Sequence, residues 1–265
     1  KGNIDIRANA SYNNSEIQSI YEGLDELFAG GFNNFAANYA IVGHPAFVFK
    51  AADYMRDDQG RVIIDPSNGY PEVDPNTKIF GRTTPTWIVG INPSVNWNGL
   101  SLSVVGEYRG GHYAYHNLGP DMAWTGVSEA TAANNRERFV FPNSVYWDGS
   151  KYVPNTNITV DNVNDFYTGV YRDVATNFIT SAASWRVREV SLGYDFPVRI
   201  LGNQRVVKGL NLTLNARNLF LWVPESNVYT DPDFNFTTTG NSFGVNTSQI
   251  NPPVRTFGAN LTVTF

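Results

Sequence analysis

The sequence predicts an all-β protein, part of a transmembrane antiparallel β-barrel, and three observations predict it. Aromatic residues make up 14% of the 265 positions and charged residues only 16%, against a usual charged share of about 25%. Several long stretches alternate strictly between apolar and polar side chains, the period of a strand with one face in an apolar phase. The last of them stops on an aromatic ring, Phe265. A mean hydropathy of −0.28 is no objection, because alternation averages to a polar value and hydropathy detects spanning helices, not strands.

Composition closes other classes. The 19 Lys plus Arg against 24 Asp plus Glu, with no basic run to follow a phosphate backbone, argue against nucleic acid. Zero cysteines exclude a disulfide framework and a thiolate metal site but leave the compartment open. The opening Lys1-Gly2-Asn3-Ile4-Asp5 has no basic and then apolar run, so the expectation is a processed chain or a fragment.

In order along the chain, residues 1–13 place Ile4, Ile6, Ala8, Ala10 and Tyr12 on one face. Residues 14–45 are the least regular, with a short helical turn expected at Ser15 to Glu22, and 46–56 read as a weaker strand around Phe47 to Tyr54. Residues 86–97 carry Trp87, Val89, Ile91, Val95 and Trp97 on one face; ten steps tilted by about 40° rise roughly 25 Å, the separation of two interfacial aromatic girdles. Pro93 lacks a ladder donor, which predicts a bulge or local break. Asn98-Gly99 suits a type I′ turn, after which Leu100, Leu102, Val104, Gly106 and Tyr108 resume the alternation. In 178–195 the parity of Trp185 and Val187 differs from that of Val190, Leu192 and Tyr194, predicting a bulge near Arg188-Glu189. Residues 207–222 place Leu210, Leu212, Leu214 and Ala216 together and become ambiguous from Asn218. In 254–265, Phe257, Ala259, Leu261, Val263 and Phe265 share a face about 26 Å long; Phe257, Leu261, Val263 and Phe265 are the candidate assembly signal.

This makes seven spanning strands, and a bacterial single-chain barrel has an even number, so the chain is expected to be part of a larger barrel. The connections 57–85, 111–177 and 223–253 are long, and those at Asn98-Gly99 and 197–206 short. With the C-terminus in the periplasm, the three long loops fall outside the cell and 14–45 on the periplasmic side.

The run Ala183-Ser184-Trp185-Arg186-Val187-Arg188-Glu189-Val190-Ser191-Leu192-Gly193-Tyr194-Asp195-Phe196-Pro197 resembles a motif near the end of SusC/RagA-like TonB-dependent transporters of the Bacteroidota. Asn215-Ala216-Arg217-Asn218-Leu219-Phe220, Asp58-Gln59-Gly60-Arg61-Val62-Ile63, Gly81-Arg82-Thr83-Thr84-Pro85-Thr86-Trp87 and the terminal Phe265 resemble that family in order and spacing over most of 43–265. Pro93 and Ser184 depart from its pattern. The resemblance implies that 1–265 is the C-terminal portion of a plugged barrel of about 22 strands, its plug and first strands absent. It also implies import of oligosaccharides or peptides under a SusD-like lipoprotein lid, driven through TonB.

Sites of chemistry are sparse. His112 and His116 have a spacing compatible with metal, but a third ligand is not evident. Asp53, Asp57, Asp58 and Gly60 lack the alternating ligands and closing Glu of a calcium loop and read as a turn. No nucleophile elbow or phosphate loop occurs, so neither enzyme activity nor a cofactor is expected. Arg186 and Arg188 share a strand face and are assigned to the plug side, because a lipid-facing arginine costs roughly 2–4 kcal/mol at mid-depth. In 111–177, Tyr113, Tyr115, Trp124, Trp147 and Tyr152 are candidate ligand-stacking rings; packing of that loop on itself or on the lipoprotein is the simpler alternative. The function expected is outer-membrane import. The rivals are a soluble all-β carbohydrate-binding module and a barrel serving as a structural or secretion-complex partner.

Overall fold

The computed structural model describes residues 2–31, 36–197, 199, 206–234, 240–247, 249, 251 and 253–265. Sixteen strands, numbered in chain order, run through them, and no helix among the described residues is long and apolar enough to cross a membrane. Six long strands form one sheet, adjacent in the order β1 (Gly2–Tyr12), β7 (Trp87–Trp97), β8 (Leu100–Gly110), β13 (Ser184–Asp195), β14 (Gly209–Trp222) and β16 (Thr256–Thr264). Every neighbouring pair is antiparallel. Strands of 9 to 14 residues are the length a tilted membrane strand needs.

The local punctuation follows the residues. Asn98 (φ 48°) and Gly99 (φ 88°) are both left-handed, as a type I′ turn requires, and Trp97 pairs with Leu100 across it. A Cβ on Gly99 would stand 2.8 Å from the Asp195 carbonyl oxygen. Gly99→Ala is therefore expected to cost about 1–2 kcal/mol, read as a lowered unfolding midpoint in detergent. Pro93 interrupts the β7–β8 ladder, which resumes at Ser94↔Ser103 in the register of Ile91↔Gly106, so the break occurs without a bulge. Both pairings of β13 shift register between Val187 and Glu189, and Asn218 in β14 is left-handed at φ 54°, which together restore the apolar parity on either side.

The remaining strands lie in the connections. β2 (Glu26–Gly31), β3 (Ala36–Ile41), β4 (Val48–Ala51) and β6 (Lys78–Arg82) form a four-stranded sheet. β9 (Tyr113–His116) joins β12 (Ile179–Ser181) to β15 (Val245–Asn246), and β10 (Ser144–Trp147) joins β5 (Val62–Ile63) to β11 (Tyr152–Pro154). Short helices α1 (Leu118–Thr125), α2 (Val163–Thr168) and α3 (Val170–Asp173) complete this part. Ala36, Phe49, Ala51, Tyr115, Ala123, Phe178 and Val245 make one core, drawn from all three long connections. The described residues of 13–86, 111–183 and 223–255 thus pack into a single cap at one end of the sheet.

Several sequence expectations are corrected. The long strands are six among the described residues, not seven, because 46–56 contributes only the four-residue β4, whose Val48, Phe49 and Ala51 are buried inside the cap sheet. The argument from an odd strand number therefore falls. Residues 14–45 do not lie at the opposite end: Tyr12 pairs with Trp87, so the chain leaves β1 and enters β7 at the same edge. Asn38 Nδ2 then donates to the Asn241 and Phe243 carbonyls of the last connection, at 2.8 and 2.9 Å. The helical turn expected at 15–22 is limited to a 3-10 turn at Tyr21–Gly23, and 178–195 divides into β12 and β13. Much of the connection 197–206 lies outside the described residues.

Candidate functional site

The register gives the six-stranded sheet two unlike faces. Ile4, Ile6, Ala8 and Ala10 stand opposite Val95, Pro93, Ile91 and Val89, and Leu102, Leu192, Leu214 and Ala259 continue the row across the sheet. This apolar face is uncovered: Ile4, Ile6, Phe257 and Leu261 are 61–74% exposed. Rings edge it towards the cap, with Tyr12 against Trp87 at 4.7 Å, Tyr108 against Trp185 at 4.9 Å, and Phe220 stacked on Trp222. Trp97 and the Tyr194–Phe196 pair edge the other end. The candidate assembly residues Phe257, Leu261 and Val263 belong to this face in β16, and Phe265 follows them. The opposite face is Asn, Ser and Thr, as in the cross-strand run Ser103, Ser191, Asn215 and Gly258. The largest fully buried side chains, Tyr115, Phe49, Phe166 and Phe178 among them, lie in the cap, the reverse of a soluble sandwich whose core sits between sheets.

Near the cap the polar face carries a charge cluster. Arg186, its side chain 6% exposed, holds Asp231 through both terminal nitrogens at 2.7 and 3.0 Å and reaches Asp233 at 3.3 Å. Arg188 bonds Glu107 of β8 and, at 2.7 Å, Asp233; Arg109 approaches Glu107 at 2.7 Å and Asp233 at 3.1 Å. Three guanidinium groups meet three carboxylates, so the cluster is neutral. Burial pushes the Asp233 carboxyl upward, but Arg186, Arg109 and Arg188 outweigh it and hold it below the usual carboxylate range. Both arginines are on the polar face, and carboxylates of this chain balance them without any group from a plug. Asp231 and Asp233 carried no sequence signal, since they lie in a loop some 45 residues from their partners.

The candidate rings do not form one site. Tyr115 is fully buried in the cap core, which removes it as a ligand contact; β9 is a central strand with neighbours on both sides. Tyr113, 39% exposed, lines a cavity of about 540 Å3 with His112, Arg109, Asp233 and Phe243. Trp147 and Tyr152 pair across the β10–β11 hairpin with centroids 5.2 Å apart. Trp124, 58% exposed, lines a separate cavity of about 260 Å3 between α1 and α2. Arg136, which also lines that cavity, was not singled out by the sequence. Asn134, Asn135 and Arg136 are left-handed in succession, at φ 53°, 55° and 61°, and the arginine costs about 1–2 kcal/mol in that conformation.

No protein-family model and no curated protein matches the chain. Solved structures do. The chain aligns over its whole length with structures described as the RagAB peptide transporter (TM-score 0.63, 18% identity), the RagAB peptide importer in the "closed-closed" state (0.63, 20%) and in the "open-open" state (0.62, 19%). It shares its fold with a stretch of those chains. That stretch is 27% of their length.

The motifs weighed for metal have other work in this fold. Asn246 Nδ2 donates to His116 Nδ1 at 2.6 Å, which leaves the ring proton on Nε2 to meet Thr180 Oγ1 at 2.7 Å. Burial pushes both His116 and His112 down to about 4, so the two rings are neutral at physiological pH. Asp57 Oδ1 accepts from the Gln59 and Arg61 amides around Gly60, a turn, while Asp53 pairs with Arg56 and Lys78.

Proposed function

We propose that this chain is the C-terminal wall and cap of an outer-membrane TonB-dependent importer of oligosaccharides or peptides, acting by gated passage and not as an enzyme. The observation that carries the reading is the uncovered apolar face, edged at both ends by rings and backed by a polar face. A soluble carbohydrate-binding module has to bury such a face, which here would leave long rows of Ile, Leu and Val in water. The shared fold with chains described as a peptide transporter and a peptide importer supports a transport role. In this reading β1 and β16 pair with further strands of a closed barrel of about 22 strands. The cap faces outside the cell beneath a SusD-like lipoprotein, the hairpin end faces the periplasm, and TonB acts through a plug.

The test is purification of the native, full-length protein. It should require detergent, co-purify with a lipoprotein, and support uptake of an oligosaccharide or peptide that a deletion strain fails to import. Solubility in plain buffer would sink the membrane assignment. Detergent dependence with no uptake would leave a structural or secretion-complex role.

A further inference from the structure

We propose that the cap carries a carboxylate-binding subsite in the cavity between α1 and α2. The cavity, about 260 Å3, is lined by Trp124, Arg136, Asn164, Tyr167 and Thr168. It is smaller than the ~300 Å3 at which sites for drug-sized ligands begin, so it accepts one terminal group of a longer molecule.

Three independent observations converge there. Arg136 Nη2 donates to the Gly126 carbonyl at 3.1 Å, which steadies one arm of its guanidinium, yet no carboxylate is within ion-pair reach of it among the described residues. Two positions on, Arg138 does have one, Asp161 at 3.0 Å. The backbone presenting Arg136 is left-handed over three consecutive residues; Asn134 and Asn135 take that conformation readily, but Arg136 keeps it only where the surroundings enforce it, and such strain gathers at ligand clamps. Trp124 offers an exposed ring to the same cavity, with the Asn164 carboxamide as a neutral partner, while the Thr168 hydroxyl donates to the Asn164 carbonyl at 2.9 Å and can only accept.

A lone guanidinium and an exposed ring in one cavity match one negative charge on a flat or ring-shaped carrier. A phosphate, carrying close to two charges at pH 7, would leave one unmatched. Two sources supply the right chemistry: the carboxylate of an acidic sugar residue and the free C-terminus of a peptide. The inference concerns the substrate class of the proposed importer. Its test reads binding, not uptake, so a failure of transport and a failure of the subsite remain distinguishable.

The test is calorimetry on the full-length protein in detergent with two matched pairs of probes. One is a glucuronate-terminated disaccharide with its glucose-terminated twin, and the other a tetrapeptide with a free C-terminus with its amide. The acidic member of one pair should bind roughly tenfold or more tightly than its neutral twin, and Arg136→Gln should abolish that preference. Arg136→Gly relieves the left-handed backbone and therefore folds at least as well, yet should lose the preference too. Trp124→Ala should weaken the acidic probe several-fold. The proposal is overturned if neither acidic probe binds, if acidic and neutral twins bind alike, or if either Arg136 variant keeps the preference. It is also overturned if Trp124→Ala leaves binding intact while releasing a co-purifying lipoprotein, which would make the ring a protein-docking contact.

Discussion

Replacing Arg186 with methionine is expected to release the 223–255 connection from the wall, at a cost of about 3–5 kcal/mol, the usual effect of removing one partner from a buried ion pair. Asp231 would lose both of its hydrogen bonds from Arg186, and Asp233 one of three cationic neighbours, while both stay largely shielded from water. The readouts are a lower unfolding temperature in detergent and faster protease cleavage within 223–255. A second variant separates charge from packing: adding Asp231→Leu to Arg186→Met removes the stranded carboxylate and should recover part of the loss. If Arg186→Met melts and is cleaved like the parent, the cluster does not hold the connection. The pH dependence has a definite sign. Asp233 has a carboxyl depressed in the folded state, so its contribution is complete above the unfolded value near 4 and disappears as pH falls below that through the folded value. Cleavage within 223–255 should therefore be flat from pH 7 to about 5 and rise only in stronger acid.

The second expected result concerns the two faces. Val190 sits midway along β13, between Val104 and Ala216 on the apolar face and between the rings of Trp185 and Tyr194. If the sheet is the proposed membrane wall, Val190→Arg puts a charge at mid-depth and is expected to cost about 2–4 kcal/mol, lowering the amount of folded protein in the outer-membrane fraction. Ser191→Arg, one residue on, points to the polar side between Ser103 and Asn215 and should be tolerated. The comparison controls for expression and charge together, because the two variants differ by one position and by face. Equal behaviour of the two variants would refute the membrane reading of the sheet, and loss from Ser191→Arg alone would invert it.

These two expectations draw on different layers of information. Alternation in Ile4 to Tyr12, Trp87 to Trp97 and Phe257 to Val263, the Asn98-Gly99 turn, and the parity slip at Arg188 were legible in the sequence. Each is local: a strand with one apolar and one polar side writes its period into neighbouring residues, and a left-handed turn selects its own two. The same locality misled at 46–56, where Val48 and Phe49 read as half of a membrane strand but are enclosed by the cap sheet. It also could not separate Tyr115 from Tyr113, since alternation assigns sides of a strand and says nothing of whether a second layer covers one of them.

By itself, then, the sequence determined the six long strands, the Asn98-Gly99 turn, the bulge near Arg188 and which residues of those strands share a face, because those follow from the chemistry of adjacent positions. Only the tertiary structure decided that β1 pairs with β7 across residues 13–86, and that the three long connections fuse into one cap with its own core. It alone brought Asp231 and Asp233 to Arg186 and Arg188, and opened a cavity beside Arg136. Such contacts join segments far apart along the chain. Their partners are selected by shape, burial and charge balance in three dimensions, and leave no period in the sequence to be read.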